Sequence, residues 1–493
     1  MRSQSTTWAV WAIVLALAVV GGIFLLPPDA LSGDLARLLL VCGSVMVALM
    51  IVNRGRSTET RERAISRSAL VLWWFLLCSE TFFPRANNGA ENAAAGRFSL
   101  TAYSEAIFWI FLAVCFLFIA APRLSRMKYV VRGRLVILYA IAGLCALSIM
   151  WAPEPMFSAA WAFKLLLGVS MALFCVSSMQ SLRDLRTLMV VTCWAFAFLT
   201  VVPVVEGTLN PASSFSGTAY AGESVVEQGR FHSTAHPLTI AGRAGILALI
   251  ALLFYSLERK RKMLVIALAC AVVIGLAGAK TAFLAATISV GLFFSLRRRV
   301  MAGFGLVIGL GLLALLIVST TAVGGYLRDY LQRGDLMTIS GRTDLWSAAW
   351  PEIMSHLALG HGYVASKLVS LQVGIPWYAG HMHNAILETL YNNGLLGLLL
   401  LLAVNLFITA NLVSLYRRSS RREIRQVAIS LLALYCFLFL NGITEPYFGG
   451  QASAFYLLII ALFGITEWLR VFSVAVARVP VAIQTRREVI HAA

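Results

Sequence analysis

Apolar stretches of membrane-spanning length constrain the fold of this chain more than any other feature. A helix needs roughly 17–25 predominantly apolar residues to cross a bilayer, and about fourteen such stretches follow one another here. The chain is 60% hydrophobic and 13% charged, whereas soluble domains are about half apolar and about a quarter charged. We therefore predict an all-α polytopic integral membrane protein. The predicted spans are residues 8–26, 35–52, 68–83, 103–121, 135–151, 157–179, 186–205, 236–256, 263–278, 281–296, 300–324, 394–416, 426–446 and 451–469.

The positive charge of the chain is arranged by topology. A formal net charge of +18 would suggest a nucleic-acid partner in a soluble protein. Here the arginines gather in alternate connections between the predicted spans, at Arg54–Arg67, Arg123–Arg134, Arg259–Lys262, Arg297–Arg299 and Arg417–Arg425. The positive-inside rule places these connections and both termini in the cytoplasm, and an even number of spans agrees. The charge therefore predicts contact with anionic membrane lipids and no nucleic-acid partner.

The long external connection before residue 382 has the composition of an ordered segment, because it is rich in tryptophan and tyrosine. Within Arg342–Leu357, the apolar residues recur at helical spacing on one face. Two interpretations stay open. The segment is an amphipathic helix on the outer membrane interface, or it is a lid packed on the transmembrane bundle. The two are compatible.

The sequence offers no recognisable metal or disulfide pattern. The eight cysteines all fall within apolar spans, and none forms a C-x-x-C pair. The external connections contain neither a D-x-D motif nor clustered carboxylates for a divalent ion. We therefore predict no disulfide, no metal and no cofactor.

His383 lies where a polar connection meets a very apolar stretch. A histidine has an unperturbed pKa near neutrality and can act as a general base towards a weak nucleophile such as a sugar hydroxyl. It comes just before a predicted short helix, Ala385–Asn393, whose first backbone N–H groups can face an anion. The competing interpretation is that His383 simply caps this helix at the interface.

Four sequence motifs resemble those of the O-antigen ligase and Wzy-type polymerase family of bacterial surface-glycan enzymes. The full His-Asn-x9-Gly-x-x-Gly signature of the ligases runs from His383 to Gly397. The other three are Ser340-Gly-Arg342 with Trp346 and the later Gly360-His-Gly362, Gly229-Arg230 through Thr234 with His236-Pro237, and Ala279-Lys280-Thr281. Two positions depart from the family, since Leu238 replaces an asparagine and Lys280 replaces an arginine. Lysine keeps the charge but loses the planar fork of a guanidinium.

This resemblance implies an inverting glycosyltransferase of the multi-span lipid-sugar type (GT-C-like) in the bacterial inner membrane, active at the periplasmic face. The donor would be a glycan on undecaprenyl diphosphate. In a polymerase of exopolysaccharide or O-antigen, the acceptor is another lipid-linked repeat unit, and a flippase and a chain-length protein would be partners. In a ligase, the acceptor is lipid A core. The length of the chain favours the polymerase. A third alternative, a lipid-linked sugar transporter or flippase, lacks the expected inverted repeat and paired broken helices.

The predicted spans and connections divide the chain into five parts. We predict N-terminal transmembrane helices over 1–134 and a central bundle over 135–324 with a periplasmic loop at 206–235. A large periplasmic loop with the catalytic segment would follow over 325–393. C-terminal transmembrane helices over 394–469 and a cytoplasmic tail over 470–493 would complete the chain.

The predicted site has one catalytic base, His383. Four cations would stabilise the charge that develops on the diphosphate leaving group in place of a metal: Arg342, Lys280, Arg230 and Arg243. Supporting roles are predicted for His381, Asn384 and His236.

Structural alternatives stay open for most of these residues. Arg342 and Lys280 could snorkel to the headgroups, and Arg243 could be neutralised by Glu206. The acidic residues Glu388, Glu445 and Glu467 could orient a cation or close helix ends. Lys164 lies inside a span without an assigned role.

Overall fold

A computed structural model describes residues 34–53, 58–83, 100–121, 133–209, 235–297, 342–374 and 380–477. Within these ranges the protein is all-helical, apart from short 3-10 and one-turn segments. Its longer helices are α1 (Asp34–Asn53), α2 (Thr58–Phe82), α3 (Leu100–Ala120), α4 (Val136–Leu147), α5 (Pro155–Ser177), α6 (Leu182–Leu209), α7 (Pro237–Glu258), α8 (Lys262–Leu276), α9 (Lys280–Leu296), α10 (Arg342–Ser355), α11 (Ala385–Arg418), α12 (Arg422–Gly442) and α13 (Ala454–Ala477). The predicted spans 8–26 and 300–324 lie outside the described residues.

Eight of the described helical segments are long and apolar enough to cross a membrane. They correspond to α3, α4 with its flanking 3-10 turns, α5, α6, α7, α11, α12 and α13. Shorter apolar helices occur at Arg37–Val52, Lys262–Leu276 and Lys280–Leu296. The chain is thus an all-helical polytopic membrane protein. The count of about fourteen spans stays a prediction.

The outer surface of the bundle carries apolar stripes. The exposed large apolar side chains of α3 lie three or four residues apart along one helix face. They are Tyr103, Ile107, Ile110, Val114, Leu117 and Phe118. In water an apolar face of this length would mark an interface or an aggregation site. In a bilayer it faces the lipid tails at no cost.

The centre of the bundle is α7, which packs against α6, α8, α9 and α12. Two glycines let central helices approach each other closely. A Cβ atom on Gly245 of α7 would lie 2.2 Å from the ring of Phe437, and one on Gly168 of α5 would lie 2.2 Å from the side chain of Leu457. Small residues at such contacts increase van der Waals packing between helices, which is a main source of association inside a membrane.

Among the described residues, arginines that flank α6, α7, α9, α11 and α12 lie at one end of the bundle. Arg186 at the start of α6 forms an ion pair with Glu258 at the end of α7. Arg297 after α9 and Arg422 at the start of α12 line a common cavity, so α9 and α12 run antiparallel. The N-terminus of α11 and the C-terminus of α12 therefore lie at the opposite end. This clustering agrees with the predicted topology, and the assignment of each end to a membrane side stays a prediction.

A buried ionic cluster joins four of the central helices. The ammonium of Lys164 lies 3.2 Å from a carboxylate oxygen of Glu80 and 4.0 Å from one of Glu105. The guanidinium of Arg243 lies 3.6 Å from the other oxygen of Glu80. Two cations thereby face two carboxylates, which neutralises charges that are expensive within a membrane. The rings of Trp109 and Trp161 also flank the Lys164 ammonium, at 4.8 and 4.7 Å. Lys164, to which the sequence assigned no role, is therefore part of this ionic cluster.

Removing one member of this ionic cluster should destabilise the bundle. We expect Lys164→Met to cost about 3–5 kcal/mol, because it leaves buried carboxylates without their cation. The double variant Lys164→Met/Glu105→Gln should recover part of the loss, since it also removes a buried negative charge. Thermal unfolding of the purified protein in detergent measures both. A Lys164→Met variant that melts like the wild type would contradict a stabilising role for the cluster.

Candidate active site

His383 is held in a strained backbone conformation between two anchors. Its φ angle is +49°, a left-handed value that costs energy in a residue other than glycine and recurs at functional sites. On one side, the carbonyl of Met382 accepts a hydrogen bond from the indole of Trp346 at 2.7 Å, and the Met382 N–H donates to the buried Glu388 carboxylate at 2.7 Å. On the other side, Asn384 caps α11. The position of the imidazole is therefore fixed by backbone contacts in both directions.

Helix α10 contacts both the segment of residues 380–384, called here the histidine loop, and the turn between α12 and α13. Arg342 and Trp346 are four residues apart and so project from the same face of α10. While Trp346 binds Met382, the guanidinium of Arg342 donates to the carbonyl of Thr444 and to the carboxylate of Glu445, both at 2.9 Å. One turn of helix thus holds together two segments that are distant in sequence.

Glu445 connects the predicted base to the predicted cation. The same oxygen that accepts from Arg342 lies 3.5 Å from Nδ1 of His383. Burial alone would raise the pKa of Glu445, but the hydrogen bond with His383 and the electrostatic influence of His383, Arg342 and His236 hold that pKa below its ordinary value. The carboxylate therefore stays ionised and favours the tautomer of His383 with its proton on Nδ1. Nε2 is then the nitrogen that can accept a proton from a substrate.

His381 packs beside His383 as a neutral partner. The two rings lie 4.0 Å apart in an edge-on arrangement, and Nδ1 of His381 accepts the His383 N–H at 3.1 Å. Burial and the positive charges of His383, Lys367, His236 and Arg342 lower the pKa of His381 well below its usual value. A neutral ring keeps its Nδ1 lone pair, which this hydrogen bond to the strained backbone requires.

The structure brings together five of the eight residues that we predicted for the site: His383, His381, Arg342, Asn384 and His236. Asn384 is the N-cap of α11, and its side-chain oxygen accepts from the N–H groups of Ile386 and Leu387 at 2.9 and 3.1 Å. His236 is the N-cap of α7 and accepts from Leu238 at 3.3 Å. Two of the helix N–H groups that we expected to face an anion are therefore occupied by the cap.

The remaining three predicted cations have different surroundings. Lys280 is the exposed first residue of α9 and lies at the same end of the bundle as Glu445, because α9 and α12 are antiparallel. Arg243 is buried in the ionic cluster with Glu80, where it also donates to the carbonyl of Leu199 at 3.4 Å. Glu80 thus takes the role that we considered for Glu206. Arg230 lies outside the described residues.

The two glycine motifs form a single backbone junction. Gly394 has a non-helical conformation (φ 62°, ψ −163°) that kinks α11. The N–H and carbonyl groups that lose their helical partners at the kink form hydrogen bonds with the loop of residues 357–362. The N–H groups of His361 and Gly362 donate to the carbonyls of Tyr391 and Asn392 at 2.8 and 2.9 Å, and Leu395 N–H donates to the carbonyl of Leu357 at 2.7 Å. Since unpaired backbone groups are costly inside a membrane protein, these bonds fix the short helix before the kink, and with it the adjacent histidine loop.

Helix α10 covers this loop, as the lid interpretation expected. Its buried residues Leu345, Ala349 and Ile353 pack against a cluster that includes Met382 and Tyr391. Trp350 and Met354 remain exposed on the opposite face, and they leave room for the interfacial interpretation as a further prediction.

Two groups of side chains in the described part of the chain have a metal-ligand arrangement, which the sequence alone did not indicate. One consists of His381, His383 and Glu445, and the other of Glu352, His356 and His361. In the first group, Glu445 is already bound to Arg342 and His381 accepts a backbone N–H, so a metal would have to compete with both contacts. In the second, His361 lies on the ring of Tyr391 at 4.5 Å and its Nε2 is 3.1 Å from the Glu352 carbonyl.

Residues 263–402 match the family model described as Wzy_C, O-antigen ligase. Over this segment the chain is similar to the O-antigen ligase family. The matched segment contains α8, α9, α10, the histidine loop and the kinked start of α11, so it includes Lys280, Arg342 and His383. No curated protein matches the chain. The match and the apolar helices fit an enzyme of the glycosyltransferase type in the inner membrane.

Sequence reasoning missed the importance of two residues near His383, Glu445 and Lys367. Glu445 was one of three carboxylates that we could not separate, and it lies beyond the matched residues. An acidic residue in a short external turn between two apolar spans was the only available signal. Lys367 was not considered, yet its charge acts on His381. Lys367 lies in the 3-10 turn Ala365–Leu368, which begins after Val364 in a left-handed conformation. The sequence pattern does not predict this turn.

The kink at Gly394 gives a prediction with a matched control. A Cβ atom at this position would lie 2.4 Å from the backbone of Ala358 and would require a positive φ angle. We expect Gly394→Ala to destabilise the protein by about 2–5 kcal/mol, from strain plus overpacking. Gly291→Ala in α9 has nothing within 4 Å of the new methyl group and should melt at or slightly above the wild-type temperature. Equal melting temperatures for the two variants would contradict the role of the kink.

Proposed function

We propose that this protein is a polymerase of surface polysaccharide that transfers a glycan from undecaprenyl diphosphate to a sugar hydroxyl of another lipid-linked repeat unit. Transfer would proceed with inversion at the anomeric carbon and without a metal. The observation that carries the proposal is the shared carboxylate of Glu445, 3.5 Å from His383 and 2.9 Å from Arg342. A base and a cation next to each other fit a reaction that removes a proton from the acceptor and places charge on the leaving group.

The His383–Glu445 pair supplies the base. In the proposed step, Nε2 of His383 takes the proton of the acceptor hydroxyl while its oxygen attacks the anomeric carbon from the face opposite the diphosphate. The bond between the sugar and the diphosphate breaks, and both bonding electrons leave with the diphosphate. Glu445 stabilises the imidazolium that forms, in the same way as the carboxylate of a catalytic triad. Such positioned proton transfer typically contributes a factor of about 10²–10⁴ in rate.

Cations around the histidine would receive the diphosphate. Arg342 is committed to Glu445 and Thr444 through two of its N–H groups, and the rest of its five-donor fork can bind a phosphate oxygen. Lys280 and Lys367 are further cations of this end of the bundle, and Arg230 remains a proposed ligand. The ionic cluster with Glu80 gives Arg243 a structural role, which makes it the weakest of the four predicted diphosphate ligands.

A second candidate is an O-antigen ligase that transfers the glycan to lipid A core. The match to a family model of O-antigen ligases favours this acceptor, whereas the length and predicted span number of the chain favour the polymerase. The two candidates share the base, the cations and the donor, and they differ only in the hydroxyl that attacks.

The acceptor distinguishes the candidates in one assay. Purified protein is incubated with lipid-linked repeat units, with or without lipid A core, and without an ion gradient. We expect longer lipid-linked chains, and we expect His383→Ala to lose their formation by at least 100-fold while inserting and melting normally. The control variant Ser347→Ala, at an exposed position of α10, should retain activity. Glycan found only on lipid A core would establish the ligase instead, and lipid movement without a new glycosidic bond would overturn both.

Metal independence has its own test, because His381, His383 and Glu445 have a metal-ligand arrangement. We expect the transfer rate after chelator treatment to stay within about twofold of the untreated rate, since guanidinium and ammonium groups would stabilise the leaving diphosphate in place of a metal ion. Elemental analysis of the active protein should find less than one bound transition metal per chain. Activity that is lost with chelator and restored by a single divalent ion would contradict the proposal.

A further inference from the structure

A charged cavity lies at the opposite end of the bundle from His383. It has a volume of about 560 Å³ and lies where α7, α9 and α11 end and α12 begins. Nine residues line it: Arg259, Leu296, Arg297, Tyr416, Arg417, Arg422, Arg425, Gln426 and Ile429. This volume is within the range of small-molecule sites in proteins, roughly 300–1,000 Å³. None of the residues proposed for glycan transfer takes part, so the cavity needs an explanation of its own.

The lining of this cavity has an unbalanced charge. Five of the nine side chains are guanidinium groups, and none is a carboxylate. Two acidic residues are adjacent in sequence to lining arginines. Glu258 is already engaged by Arg186 and Lys260, and Glu423 does not line the cavity. Like charges gathered around one space repel each other, so the arrangement calls for an anion inside it.

Helix α12 directs one continuous face into the cavity. Its lining residues are Arg422, Arg425, Gln426 and Ile429, which have the spacing i, i+3, i+4 and i+7 of a single helical stripe. Glu423 is off this stripe and exposed. Ile429 is buried, and together with Leu296 and Tyr416 it gives the inner wall an apolar character. The cavity thus combines a charged rim with an apolar wall facing into the bundle.

This combination matches a phospholipid headgroup with its first acyl carbons. A guanidinium pairs bidentately with phosphate oxygens, and basic pockets between transmembrane helices on the cytoplasmic side are suited to anionic headgroups. The five arginines come from four helix ends. A headgroup with two phosphodiesters, as in cardiolipin, would satisfy more of the five.

We propose that the cavity is a binding site for the diphosphatidyl headgroup of an anionic phospholipid in the cytoplasmic leaflet. The bound lipid would tie together the ends of α7, α9, α11 and α12. The other ends of these helices carry His236, Lys280, His383 and Glu445. The lipid would therefore stabilise the bundle that positions the candidate active site, whichever acceptor that site uses.

The test uses two pairs of arginines from the same connection. The variant Arg422→Gln/Arg425→Gln removes two lining residues, and the control Arg418→Gln/Arg421→Gln removes the same charge from neighbouring residues that do not line the cavity. All four arginines are exposed, so the two variants differ only in whether the removed groups line the cavity. Lipid-depleted full-length protein is titrated with cardiolipin or phosphatidylcholine in detergent micelles, and binding is followed by native mass spectrometry and by the melting temperature.

We expect cardiolipin to bind the wild type at least tenfold more tightly than phosphatidylcholine and to raise its melting temperature. The lining variant should lose at least tenfold in cardiolipin affinity, and the control less than twofold. Similar losses in both variants would indicate diffuse surface attraction and overturn the site. Competition by soluble pyrophosphate at the same concentration would assign the cavity to a free anion and overturn the lipid source. A lining variant that keeps the lipid-free melting temperature of the wild type excludes misfolding as the cause of lost binding.

Discussion

The candidate site depends on one buried carboxylate. Glu445 accepts a hydrogen bond from Arg342 and faces Nδ1 of His383, so it joins the external helix α10, the start of α11 and the turn after α12. A carboxylate at this depth is costly unless it is paired, and two cationic or protonatable partners meet that requirement. The same contacts orient the imidazole and hold the guanidinium beside it. The packing of these three segments and the proposed chemistry therefore involve the same three side chains.

The membrane gives the rest of the structure its logic. Charges inside the bundle occur as a neutralised set around Lys164 and Glu80, and the remaining charge gathers at the two ends. One end holds histidines and a few cations around a carboxylate, whereas the other holds arginines without an acidic residue in their shared cavity. The two ends of the bundle therefore carry different sets of charged residues. Helices α9 and α12 run in opposite directions and extend from one end to the other.

Local signals in the sequence predicted the helices well and the contacts between them poorly. The apolar runs and the spacing within Arg342–Leu357 indicated helices that the structure confirms, and the break after Asn393 was visible because glycine follows it. The pairing of Arg342 with Glu445 joins residues about 100 positions apart, and no periodicity reports such a contact. The same is true of Arg243, whose partner Glu80 lies on a helix far away in sequence. Charge and hydropathy describe each span by itself, whereas the site arises from where the spans meet.

The kink at Gly394 has a consequence for protein engineering. The loop around residues 357–362 and the first helical segment of α11 complete each other's backbone hydrogen bonds, so neither has a satisfied main chain by itself. An exchange of external loops between related enzymes would therefore have to carry the start of α11 along with the loop. A graft whose boundary falls at the membrane surface, just before Ala385, would separate donors from acceptors on both sides of the cut.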